Sequence, residues 1–211
     1  MKRKWVLSLL FTILLIGCQS DPKADRSFIT QKPCTAPCWY GLRINQSGEE
    51  DVLKTLTSLE FIQKDSIKKE EEYTWQNDNK AIMYWFNCSH PYRYDCGDVV
   101  FSNGKLKLIM MAINYGLNIK QTTELYGIPK YVDYGDDHPE SHGCYIDFQW
   151  PERNIIATYV SSNNRSFCNH IRVTNFISPQ TPISSVLYIT DEGFMTEPAC
   201  CTRILHPSLD P

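Results

Sequence analysis

The chain has 211 residues, with 21 Lys and Arg against 24 Asp and Glu and a formal net charge of −3. Nothing basic is clustered along the body of the chain, which excludes nucleic acid as an expected partner. The length suits one large or two small domains.

The first element is a leader, "MKRKWVLSLLFTILLIGCQS". Lys2, Arg3 and Lys4 precede an apolar run, Trp5–Ile16. That run is shorter than the ~20 residues a membrane-spanning helix needs and matches a secretory core. It ends Leu15-Ile16-Gly17-Cys18, which resembles the lipobox of bacterial lipoproteins. The resemblance implies a signal peptide over 1–17 and a Cys18 that carries palmitate-like chains and becomes residue one. It implies a cell-envelope protein, lipid-anchored on the extracytoplasmic face of a membrane. Each buried CH₂ adds ~0.8 kcal/mol, so two or three chains hold stably where one holds marginally. Gln19 after the cysteine resembles the pattern sent to the outer membrane of a two-membrane bacterium. The alternative is a plain signal peptide with an incidental cysteine. Without the three leader cations, 18 basic residues face 24 acidic ones, a balance of −6. Residues 18–32 are polar without an apolar period and predict a tether.

"PCTAPCWYGL" follows, then a helix signal in "NQSGEEDVLKTLTSLEFI". Ser47 and Glu50 form a capping box, and Val52, Leu53, Leu56 and Leu59 make an apolar stripe. Strand signals come next: "YTWQ" and "KAIMYWFN" around Asn-Asp-Asn, then "DVVFS" and "KLKLIMMAI" around Asn103-Gly104, a strong hairpin signal. The second helix signal is "LNIKQTTELYGIP", with Asn118 capping toward Gln121, Gly127 ending the helix in a left-handed turn and Pro129 stopping it. "KYVDY", "CYIDFQW", "NIIATYV", "HIRVTNF" and "SSVLYIT" complete the strands. Strand runs after each helix predict an α+β fold with antiparallel sheets. Tyr40-Gly41-Leu42 and Tyr115-Gly116-Leu117 precede the two helices. With the same element order behind them, they predict two helix-plus-antiparallel-sheet repeats side by side, over 33–114 and 115–195, and a tail over 196–211.

At these residues a family resemblance appears. "GLRINQSGEEDVLKTL" resembles the G-I-x-x-G-M-T-x-x-E entry of small outer-membrane lipoproteins of the SmpA/OmlA type, and "LNIKQTTELYGIPKYV" resembles their helix exit. The tandem form resembles β-lactamase-inhibitor-like proteins, and the P-C-W-x-G motif a group of lipoproteins from environmental bacteria. Asn45 and Gln46 stand where the family has Gly-Met. The resemblance implies a scaffold for protein contacts, with an envelope or extracellular protein as partner and no catalytic residues to carry over.

After Cys18, eight cysteines remain: Cys34, Cys38, Cys88, Cys96, Cys144, Cys168, Cys200 and Cys201. In an exported chain they predict a disulfide framework. Locality favours Cys34–Cys38, Cys88–Cys96 and Cys144–Cys168. Cys200 and Cys201 are neighbours, which bridge geometry disfavours pairing with each other. The competing reading of Cys34 and Cys38 is a thiol or copper-handling pair, since soft thiolates suit Cu(I). The prolines before and between them, and a helix cap nine residues beyond, argue against it. Asp136, Asp137, His138, Glu140 and His142 could gather a cation, but Pro139 breaks the helical spacing of the two histidines, and a solvated loop is expected. Tyr92, Arg93 and Tyr94 lie in a polar loop and are the candidate binding face, because aromatics with Arg dominate protein interfaces. No nucleophile elbow, phosphate loop, dinucleotide fingerprint or zinc helix motif occurs. The expectation is therefore no catalysis, no cofactor and no metal. Architecture alone suggests a further alternative, an inhibitor of a secreted hydrolase.

Overall fold

Alternating apolar residues along most of the chain build one large sheet. The computed structural model describes residues 26–75, 79–89, 95–113, 116–136, 143–161 and 177–190. Within them lie α1 (Ser27–Thr30), β1 (Cys38–Trp39), β2 (Leu42–Arg43), α2 (Glu49–Ser58), β3 (Lys68–Trp75), β4 (Asn79–Asn87), β5 (Asp95–Ser102) and β6 (Lys105–Ala112). Then come α3 (Ile119–Tyr126), β7 (Tyr131–Asp136), β8 (Cys144–Trp150), β9 (Ile155–Ser161) and β10 (Ser185–Ile189). The long strands form one antiparallel sheet in the order β3-β4-β5-β6-β10-β9-β8-β7. The expected α+β balance is corrected accordingly: the protein is mostly β, with short helices laid on a continuous sheet.

Local chemistry explains the turns. Asn103 and Gly104 adopt positive φ (54° and 70°) and close the β5–β6 hairpin. Tyr40 and Gly41 do the same between β1 and β2. Asn118 Oδ1 accepts from Gln121 N at 3.0 Å while Gln121 Oε1 accepts from Asn118 N at 3.1 Å, so α3 carries the expected cap. Gly127 ends α3 at φ 85°, but its ψ of −174° is extended rather than left-handed helical. The α2 cap sits one residue later than expected. Gly48 N donates to Asp51 Oδ2, and the Ser47 hydroxyl instead accepts from Arg43 N, tightening the turn before the helix.

Strand alternation divides the side chains between two faces. The helix face carries Phe86, Val99, Phe101, Ile109, Met111, Val186, Tyr188, Ala157, Ile146, Phe148 and Trp150. Val52 and Leu56 of α2, with Ile119 and Tyr126 of α3, pack onto it. Phe28 joins this core with no exposed surface. Its ring lies 5.0 Å from that of Tyr188, and its carbonyl accepts from the Tyr126 hydroxyl at 2.6 Å. Folded structure thus reaches into the stretch expected as tether, because Phe28 fills the space between α3 and the sheet. Burial pushes the Tyr126 hydroxyl up to about 12.

Gly97 on β5 is fixed by space rather than by φ. A Cβ there meets the Met110 carbonyl oxygen at 2.6 Å, Met111 Sδ at 2.7 Å and the Phe86 ring at 2.8 Å. The ladder holds that carbonyl in place, so it cannot yield. Gly97→Ala is expected to cost about 1–3 kcal/mol, measured by urea unfolding; an unchanged midpoint would contradict this packing.

Candidate binding face

The far face of the sheet, opposite the helices, carries a different set of residues. Lys68, Trp85, Asp98, Met110, Leu187, Ile156, Gln149 and Tyr131 are successive cross-strand partners from β3 to β7. They make one unbroken row across all eight strands. Its centre is apolar, and Ala81, Val100, Leu108 and Ile189 form a buried cluster with Ile156 beside it. Met83, Met110 and Leu187 are only partly covered. Both ends finish in a cation over an aromatic ring. Lys68 Nζ stands 4.5 Å from the Trp85 ring centre, and Lys130 Nζ stands 5.4 Å from that of Tyr131. Partly covered Met and Leu between amphipathic aromatic ends is surface chemistry suited to protein contact.

One row along, Asp133 of β7 and Asp147 of β8 stand directly opposite each other. Like charges at opposed positions repel. The Asp147 carboxyl is pushed up to about 6, first by burial and then by the Asp133 charge, against the lowering effect of Thr158. Thr158 Oγ1 donates to Asp147 Oδ1 at 2.6 Å, and Asp133 Oδ1 accepts from Tyr134 N at 2.8 Å.

Cys34 and Cys38 are bonded to each other, with Cα atoms 5.7 Å apart. In that form neither offers a thiolate to a metal. Gly41 N donates to Cys34 Sγ, and Trp39 beside the bridge is fully buried, so "PCTAPCWYGL" folds as a buckle on the core. Cys88 and Cys96 are also bonded and join the ends of β4 and β5. Cys144 is disulfide-bonded, and its partner lies outside the described residues. Cys18, Tyr92, Arg93, Tyr94, Cys168, Cys200 and Cys201 lie outside them too, as do Asp137, His138, Glu140 and His142. Among the described residues, no three His, Cys, Asp or Glu side chains gather as a metal site. None of the described helices is long and apolar enough to cross a membrane. A cleft of about 650 Å³ opens between α1 and the buckle, lined by Arg26, Ser27, Thr30, Lys32, Pro33 and Tyr40.

The sequence reading missed the far-face row, though part of its signal was present. "YVDY" and "YIDF" each place an Asp between residues that alternation buries. Such an Asp must project from the opposite face, and Asp is depleted in strands without a reason. No family model matches this chain, and neither does any curated protein or solved structure.

Proposed function

We propose that this chain is a lipid-anchored envelope protein that holds a protein partner on the far face of its sheet, without catalysis. The observation that carries the binding reading is the unbroken far-face row, with its partly covered Met110 and Leu187. The location rests on the leader, in which Lys2, Arg3 and Lys4, the apolar run and Leu15-Ile16-Gly17-Cys18 follow in lipoprotein order. Lipid on Cys18 then keeps the face near a membrane and raises its effective concentration toward envelope partners. A Cys144–Cys168 bridge is part of this proposal.

A tandem of two helix-plus-antiparallel-sheet repeats, over 33–114 and 115–195, is part of the same proposal. It is supported by the order α2-β3-β4-β5-β6 followed by α3-β7-β8-β9-β10 among the described residues, and by the mirrored strand order about the β6–β10 pair. That layout also favours a narrower second reading, an inhibitor of a secreted hydrolase, in which the far face covers an enzyme.

Fractionation tests the anchor. In cells making Cys18→Ser, the protein is expected in the soluble extracytoplasmic fraction, whereas the parent chain stays with membranes. Unchanged membrane retention of the variant would overturn the anchoring.

A further inference from the structure

The far face holds an excess of hydrogen-bond acceptors beside the apolar row. Asp147 and Asp133 supply two carboxylates, and Gln149, two residues on from Asp147, projects from the same face opposite Tyr131 and Ile156. Gln149 is 3% exposed, and its side-chain oxygen is buried with no hydrogen-bond partner. The neighbouring Thr158 hydroxyl is already committed to Asp147. The cation at this edge, Lys130, is engaged by Glu152 at 3.4 Å and lies over Tyr131. Ser185 from β10 and Tyr145 along β8 bring no positive charge to the pair. Opposed carboxylates and a buried acceptor without a donor are costly arrangements, and a donor-rich cation relieves both at once.

We propose that Asp133, Asp147 and Gln149 form the seat for an arginine side chain of the partner, flanked there by apolar residues. This rests on the far face being the docking surface and names what that surface selects. A guanidinium offers five donors in a planar fork, enough to meet both carboxylates and the Gln149 oxygen together. Leu187, partly covered, takes a flanking apolar side chain. The −6 balance of the chain after the leader agrees with a basic partner.

The test uses the full lipidated chain in detergent, ¹⁵N-labelled, titrated with capped Leu-Arg-Leu and with Leu-citrulline-Leu, its neutral isostere. The arginine peptide is expected to shift the amides of Asp133, Asp147 and Gln149, and to bind about tenfold tighter than the citrulline peptide at about pH 7.5. Its advantage is expected to shrink as the pH falls below about 6, where Asp147 takes up a proton. Asp133→Asn and Asp147→Asn are near-isosteric, and each is expected to remove the advantage without lowering the thermal midpoint. Equal affinity for the two peptides, with shifts along Met110, Leu187 and Ile156, would overturn the arginine seat and leave the docking face standing. No shift on this face from either peptide would overturn both. Shifts at the pair with Ca²⁺ but not with the arginine peptide would overturn the seat in favour of a metal site.

Discussion

Phe28→Ala is expected to lower stability by about 3–5 kcal/mol, the range for emptying a fully buried aromatic site. In a chain of this size that is a fall of about 10 °C in thermal midpoint. The cost is large because several contacts converge on one residue. The Phe28 ring meets Tyr188 of β10, and its carbonyl accepts a hydrogen bond from the buried Tyr126 hydroxyl. Tyr126 packs edge-on against Trp150 at 5.9 Å, and Trp150 Nε1 donates to the Gly127 carbonyl at 2.8 Å. Removing the ring leaves a void under α3 and loosens α1, which presents that acceptor. Ile128→Ala is the control: Ile128 is 59% exposed, so its loss is expected to change stability by less than about 0.5 kcal/mol. A midpoint unchanged by Phe28→Ala would return residues 26–32 to the tether.

The second large effect comes from the bridges. Chain entropy gives ~2 kcal/mol for closing the loop between Cys34 and Cys38, four residues apart. It gives ~2.5 kcal/mol for Cys88–Cys96, eight apart. The loops are distant in sequence and hold different parts of the fold, so the effects should add to ~4–5 kcal/mol. Urea unfolding of the oxidised chain and of a Cys34→Ser/Cys38→Ser/Cys88→Ser/Cys96→Ser variant measures the sum. A difference below about 1 kcal/mol would show that residual structure already restricts the unfolded chain, so that the bridges remove little of its entropy.

How much of this was legible depends on how local the cause is. The β8 strand, the Asn103-Gly104 hairpin and the Asn118–Gln121 cap are written within a few residues, and each was readable. The first six residues of β3, "KKEEEY", carried no apolar alternation, because an edge strand can leave one face to solvent and Lys and Glu guard it. Phe28 sits in a polar stretch with no period, so nothing local marks it as core. The β6–β10 pairing joins Ala112 to Ser185, and no short-range pattern encodes a contact over that span. The candidate site shows the same division. Tyr92, Arg93 and Tyr94 stand out by composition alone, whereas the far-face row exists only once eight strands are in register. Asp133 and Asp147 were the visible part, two carboxylates at alternating positions on strands whose pairing the sequence alone could not supply.

The central claim is that a partner sits on the far face while the chain is anchored in the envelope. Site-specific photo-crosslinking in living cells tests it most directly, with a benzoylphenylalanine at Leu187 on the far face and another at Lys120 on exposed α3. The account predicts a discrete crosslinked species from Leu187, absent from Lys120 and lost when Met110→Arg is added. Equal crosslinking from both positions, or none from Leu187, would contradict it.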